Sequence, residues 1–222
     1  MSDTIEDYLK AIYKLQGGDG KVSTSALAER MGVTAPSATS MITRLAELGL
    51  LRHDRYRGVE LTDAGARTAL EVIRHHRLWE LFLAEALRVP LDRVHAEAER
   101  LEHALSDDLE ERMDEMLGFP TVDPHGDPIP TKDGYVANDS GCRLSDLHVG
   151  TEAIVRRVPD SDPALLRYLT ELGLTPGRRV RLTRRAPFGG TLFIQTDGES
   201  QAIGEELARR VVVTVETITS EN

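Results

Sequence analysis

Cysteine is almost absent: Cys142 is the only one in 222 residues. No internal disulfide can form, and a thiolate zinc site is excluded because the lone thiol has no CxxC partner. This usage fits a reducing compartment. The sequence also lacks an apolar run long enough to span a bilayer, and a basic segment leading into a short apolar one near the amino terminus. The expectation is a cytoplasmic protein with no membrane partner. Positive charge is scarce as well, with 27 Lys and Arg against 37 Asp and Glu and a net charge of −10. That balance argues against nucleic acid until it is divided by region. Residues 1–72 hold 9 basic against 10 acidic residues, whereas residues 92–116 hold 3 against 10. The acidity is concentrated where cations would relieve it, and the amino-terminal part stays free to present a local basic surface.

The acidic stretch contains the chemistry. In VHAEAERLEHALS, His95, Glu99, Glu102 and His103 stand at i, i+4, i+7 and i+8. At about 100° per residue they share one stripe of a helix. A single His-x₃-Glu pair is commonly a solvated face. Here a second pair, His76 and Glu80, falls one helix earlier, and two antiparallel helices can converge such side chains on shared ions. Metal binding is the reading that accounts for both pairs.

At this length the chain can bury one sizeable core and a smaller one, so two or three modules are expected. Asp3 to Leu15 has the apolar spacing of a helix, ended by the glycines at 17–20. Ser23 to Ser25 offers an N-cap for a short helix, Ala26 to Met31. Gly32-Val33-Thr34 then turns into a second helix, Pro36 to Leu48, closed by Gly49. This is a helix-turn-helix candidate. Ser37, Thr39, Ser40 and Thr43 on the second helix are small polar groups able to reach base edges or phosphates, while Ala38, Met41, Ile42 and Leu45 face the core. An ordinary helical hairpin has the same spacing, and the following residues decide between the two. Leu50 to Thr62 reads as two short strands around a basic tip, the pattern of a wing, with Arg52, Arg55 and Arg57, and Arg44 nearby, as phosphate contacts.

Thr62 can cap a long helix from Asp63 to about Leu87, with Trp79 as a large anchor; Asp92 begins the acidic helix and Ser106 the next. Apolar positions on these helices suit a homodimer interface or an intrachain core equally well. Residues 118–134 hold four prolines and three glycines and read as a linker. Beyond it, short β-rich runs at 152–158, 179–184, 191–195 and 211–215 surround one helix, Asp162 to Leu172. That is the profile of a small β-barrel with a helical insert. The expected modules are 1–72, 73–140 and 141–222, in a mainly α chain.

The order EDYLKAIY, helix-turn-helix, YRGVELT, HHRLWELF, VHAEAERLEHALSD and DPHGDPIP resembles the diphtheria-toxin-repressor family of metal-dependent transcription regulators. The tail resembles the SH3-like, ferrous-transport-accessory type of domain found in longer members. The resemblance implies a primary metal site at Asp7, Glu99, Glu102 and His103, and an ancillary site at His76, Glu80 and His95. Longer relatives add a ligand from the linker or the barrel, for which His125, Asp160 and Asp162 are the candidates here. Iron-sensing relatives place sulfur donors where this chain has Asp7 and Glu99, so the oxygen donors point to Mn²⁺, with Fe²⁺ as the alternative. Manganese-binding short relatives have a further Glu where this chain has Lys10, which argues against a binuclear site of that type.

The resulting expectation is a homodimeric, Mn²⁺-activated repressor, not an enzyme. It would bind double-stranded, palindromic operator DNA and control metal uptake. Crowded carboxylates would hold the amino-terminal helix off until a cation arrives. A dimetal hydrolase using the same cluster is the alternative from another class. It would need a base and an oxyanion device that the sequence does not offer beside the stripe.

Overall fold

The computed structural model describes residues 2–16, 20–54, 57–138, 141–160 and 162–215. Arg55, expected at the wing tip, lies outside the described residues. Packing divides the chain into two compact units. One holds Met1–His76, Arg100–Arg112 and Ile129–Val136; the other holds Arg77–Glu99, Met113–Pro128 and Ala137–Asn222.

In the first unit, α1 (Asp3–Leu15) buries Ile5, Tyr8, Leu9 and Ile12 along one face. Helix α2 (Thr24–Arg30) begins at Ser23, whose hydroxyl accepts from the Ala26 N–H at 3.1 Å. Helix α3 (Ala35–Glu47) begins at Thr34, whose Oγ1 accepts from the Ser37 N–H at 3.4 Å, with a proline in the first turn where no donor is needed. Ala38, Ile42 and Leu45 are fully buried. Their spacing of four and three turns the opposite side of α3 outward.

Strands β1 (Leu51–Asp54) and β2 (Gly58–Leu61) pair antiparallel, with Leu51 opposite Leu61 and Arg52 opposite Glu60. Val22 exchanges both backbone hydrogen bonds with Val59 at 2.8 Å, which ties the wing to the stretch before α2. Gly58 is required at that junction. Its φ is +96°, and a Cβ there would sit 2.3 Å from the Val22 carbonyl oxygen. The expected helix-turn-helix and wing are thus both observed.

Thr62 accepts from the Gly65 N–H at 3.2 Å and opens α4 (Asp63–Glu85). Helix α5 (Leu91–Leu101) follows, then a 3₁₀ turn (Glu102–Ala104) and α6 (Asp107–Met116), capped by Ser106. The expectation of one helical stripe from His95 to His103 needs correction. The α-helix stops at Leu101, and Glu102 and His103 stand on the tighter turn, a common way for a helix end to satisfy its last carbonyls. That turn re-aims Glu102 into the first unit's interior, where it is fully buried.

In the second unit, β3 (Cys142–Arg143), β4 (Glu152–Arg157), β5 (Arg179–Arg185), β6 (Thr191–Thr196), β7 (Glu199–Gly204) and β8 (Val212–Val215) form one antiparallel sheet in the order β3-β8-β4-β5-β6-β7. Among the described residues no ladder joins β3 to β7, so the finding is a six-stranded sheet and not a closed barrel. Helix α7 (Pro163–Glu171) covers it through buried Leu166 and Leu169, and the short α8 (Glu205–Ala208) follows β7. The core is aliphatic: Leu144, Val155, Leu174, Val180, Leu182, Ile194 and Val213 are all fully buried.

Candidate metal centres and nucleic-acid interface

Three elements of the first unit converge near the 3₁₀ turn. From α1 come Glu6, Asp7 and Lys10; from α4 comes His76; from the turn itself come Glu102 and His103. Ligand atoms of Asp7, Glu102 and His103 lie within 4.8 Å of one another. Asp7 Oδ1 is 2.9 Å from His103 Nε2, and Glu102 Oε1 is 3.5 Å from the same nitrogen. The other ring nitrogen, Nδ1, is 2.6 Å from Glu6 Oε2. A carboxylate on the far nitrogen fixes the ring orientation of a metal-binding histidine and raises its basicity. Glu6 therefore belongs to the site, although the sequence reading passed over it. Its only signal there was its place beside Asp7.

Glu102 is held twice more. Lys10 Nζ is 2.7 Å from each of its oxygens, and His76 Nδ1 is 2.5 Å from Oε2. The carboxylate repulsion expected to push α1 away is therefore offset, because Lys10 neutralises Glu102 and His103 bridges to Asp7.

Burial raises the pKa of Asp7 above the ordinary carboxylate value, against the pull of His103. For His103, burial works against the charged ring, but the Glu6 hydrogen bond and the Glu102 and Asp7 charges outweigh it, and its pKa is raised. One imidazole and two carboxylates supply nitrogen and oxygen donors with no sulfur, a set that fits a hard divalent cation.

The second unit has its own cluster. Ligand atoms of Glu80, Asp123 and His125, all buried, lie within 4.8 Å of one another. His125 Nε2 is 3.2 Å from the Leu91 carbonyl oxygen, which sets Nε2 as the donor. Nδ1 then faces Glu80 Oε1 at 3.7 Å, beyond hydrogen-bond reach, and has no hydrogen-bond partner among the described residues. Asp123 Oδ1 accepts from the backbone N–H groups of His125 and Asp127 at 2.8 and 2.9 Å, which closes the loop on itself. Gly126 fixes the same loop: with φ at +94°, a Cβ would fall 1.8 Å from the Arg156 carbonyl oxygen. Residues 118–134 are therefore more than a linker, since this turn brings two metal-capable side chains, Asp123 and His125, to Glu80.

Around the same cluster, His95 Nδ1 is 3.0 Å from Glu80 Oε1 and 3.8 Å from Asp160 Oδ2. Glu99 Oε1 lies 3.8 Å from His95 Nε2. Asp162 is used differently: its carboxylate caps α7, accepting from Ala164 N–H at 2.9 Å and Leu165 N–H at 3.2 Å. Asp123 was missed in the sequence because an acidic residue in a Pro- and Gly-rich loop carries no spacing signal.

Burial, then the charges of Glu80 and Asp127, raise the Asp123 pKa to about 7, while His125 and Arg77 oppose the shift. Burial disfavours charge on His125, but the facing Glu80 carboxylate and Asp123 prevail and raise its pKa to about 9. Protons thus occupy a cluster built of three metal-capable side chains.

On the nucleic-acid side, Ser37, Thr39, Ser40, Thr43 and Arg44 form the exposed face of α3, and Met41 is only partly buried. Thr39 Oγ1 donates to the Ala35 carbonyl at 2.8 Å and Thr43 Oγ1 to the Thr39 carbonyl at 3.0 Å. Arg52 and Arg57 are exposed on the wing, Arg57 lying 4.0 Å from Asp54.

Three family models match the chain. Residues 1–59 match the iron dependent repressor N-terminal DNA binding domain, residues 62–131 the iron dependent repressor metal binding and dimerisation domain, and residues 142–215 the FeoA domain. The iron-dependent repressor IdeR of Mycobacterium leprae is 34% identical over 95% of this chain and 96% of its own length. A solved manganese-dependent transcriptional repressor in complex with manganese is 43% identical, with a TM-score of 0.84 over 95% of this chain and 99% of that one. The manganese regulator SloR is 34% identical, with a TM-score of 0.75 over 97% and 100%. With a winged helix-turn-helix, clusters of carboxylates and imidazoles, and likeness along nearly its whole length, the chain belongs to the diphtheria-toxin-repressor family of metal-dependent transcriptional repressors.

Proposed function

We propose that this repressor responds to Mn²⁺, acts as a cytoplasmic homodimer, and binds palindromic operator DNA at genes for metal uptake. The observation that carries the reading is the donor set of the first cluster, where α1 of the DNA-binding region supplies Asp7 to the turn carrying Glu102 and His103. Oxygen and nitrogen donors without sulfur suit Mn²⁺. A bound Mn²⁺ would supply a double positive charge between carboxylates that belong to different elements.

Asp7, Glu102 and His103 would hold that ion, with Glu99 as the further carboxylate implied by resemblance. Glu6 orients the His103 ring. Glu80, Asp123 and His125 would hold a second ion, with His95 and Asp160 beside them and His76 one turn before Glu80 on α4. This amends the ancillary set by adding Asp123 and removing Asp162. Ser37, Thr39, Ser40, Thr43 and Arg44 would read the groove while Arg52, Arg55 and Arg57 contact phosphates. The dimer then sets the spacing of two half-sites.

Asp7 joins the α1 side of the site to the turn through one bond to His103. Coordination of both groups to one ion would replace that bond by a stiffer link and favour the DNA-competent arrangement. A preference of about 2–3 kcal/mol raises operator affinity on the order of 30- to 150-fold.

The test begins with selection of bound fragments from random duplex DNA, followed by anisotropy titrations at buffered free metal. Operator binding should rise with Mn²⁺, and Asp7→Ala should abolish most of the rise while still folding. An iron response is the second reading, favoured by the identity to the mycobacterial iron-dependent repressor. Activation by Fe²⁺ at far lower free concentration than Mn²⁺ would replace the manganese reading with it.

A further inference from the structure

Lys10 and Glu102 are 92 residues apart, yet they form a sealed ion pair. The side chain of Lys10 is 7% exposed and that of Glu102 not at all. Nζ stands 2.7 Å from Oε1 and 2.7 Å from Oε2, astride the carboxylate where a bidentate cation would sit. The same Oε1 faces His103 Nε2 at 3.5 Å, on the side that opens to Asp7. One buried oxygen thus serves both an ammonium and the candidate metal cluster. Asp7 and Lys10 are three residues apart on α1, so a single helix face delivers both a ligand and a cation to the same group.

We propose that Lys10 is a tethered cation that competes with the metal for Glu102 and thereby sets the metal concentration at which the repressor responds. The inference rests on the reading of the Asp7, Glu102 and His103 cluster as a metal site. Lys10 occupies both oxygens of Glu102 before any metal arrives. The same positive charge then repels a divalent ion at the shared oxygen, and between an ammonium and a carboxylate this deeply buried that repulsion is weakly screened. Asp7 and His103 must overcome it, so the lysine raises the threshold while it keeps α1 joined to the turn. A neutral side chain of similar length would fill the space without the charge.

The experiment measures Mn²⁺ binding to the full chain by calorimetry and by the electron paramagnetic resonance signal of free Mn²⁺, for the parent, His103→Ala, Lys10→Met and Lys10→Arg. The parent should hold an ion whose binding His103→Ala removes. Lys10→Met should bind that ion at least tenfold more tightly, and Lys10→Arg should stay within about threefold of the parent because the charge is kept. A second readout needs no operator. Chelator-treated Lys10→Met should melt below the parent, and Mn²⁺ should close the gap. Should Lys10→Met fail to fold, Lys10→Gln takes its place with the same expectation. Binding that His103→Ala leaves unchanged would overturn the placement of the metal, and this proposal with it. A His103-dependent affinity that the neutral variant leaves unchanged or weakens, or that Lys10→Arg tightens equally, overturns the role of Lys10 alone.

Discussion

Loading the Glu80, Asp123 and His125 cluster with Mn²⁺ should release protons, and the number follows from the site. A metal ligand must be deprotonated, so each proton held at working pH has to leave. His125, with its pKa raised to about 9, is almost fully protonated at pH 7. Asp123, raised to about 7, is about half protonated there. The cluster should therefore shed between about one and two protons per ion at pH 7. Titration calorimetry in two buffers of different ionisation enthalpy counts these protons from the difference in apparent heat. His125→Asn and Asp123→Asn should each lower the count, His125→Asn by less than one because Asp123 holds its proton more firmly once the His125 charge is gone, while His103→Ala leaves the contribution of the second cluster in place. Proton competition also weakens Mn²⁺ binding at pH 7 by on the order of 100-fold relative to a fully deprotonated histidine, so affinity should climb steeply between pH 6 and 8. A proton count near zero, unchanged in His125→Asn, would falsify the assignment of this cluster as a metal site.

Three further outcomes follow. Without metal, stability should fall as pH rises from about 4 to 9: the folded state holds the Asp123 proton up to about 7 and the His125 proton up to about 9, above their unfolded values, so the unfolded state binds fewer protons throughout that window. Melting temperature against pH in chelator tests this, and excess Mn²⁺ should flatten the slope. Gly126→Ala must place a Cβ against the Arg156 carbonyl at positive φ, at a cost of about 2–4 kcal/mol, and should weaken the second ion far more than the first; equal weakening of both would break the link between this turn and His125. Arg52→Ala and Arg57→Ala should weaken operator and random DNA alike and reduce the salt slope by about one phosphate contact each, whereas Ser40→Ala should narrow the gap between the two DNAs. An unchanged salt slope would remove the wing from the interface.

Local structure was legible in the sequence and long-range closure was not. Helix α1 runs over Asp3–Leu15 as its apolar spacing implies, and Ser23 and Thr34 cap the next two helices, which begin one or two residues earlier than expected. These features are determined within a few residues of themselves. The buried pair of Lys10 and Glu102 joins segments 92 residues apart, and no periodicity reports it. The turn at Glu102–Ala104 replaced an extrapolated helix because the same residues fit either a fourth turn or a tightened end. Strand β7, Glu199–Gly204, was overlooked for its polar composition; it is an edge strand, where only one side needs a partner. His125 is a candidate already through the family resemblance, whereas Asp123 gains its meaning only where the loop closes on Glu80.

The two threonines of α3 carry a consequence for what an operator can contain. Each hydroxyl directs its single hydrogen at a carbonyl one turn back, Thr39 to Ala35 and Thr43 to Thr39. What remains outward is lone pairs and a methyl group. Such a surface can accept from the amino groups of adenine and cytosine or rest against the thymine methyl, but it has no proton to offer the carbonyl edge of guanine. Wherever these two residues would meet a base pair, donating to a guanine carbonyl would cost each the hydrogen bond it makes within the helix.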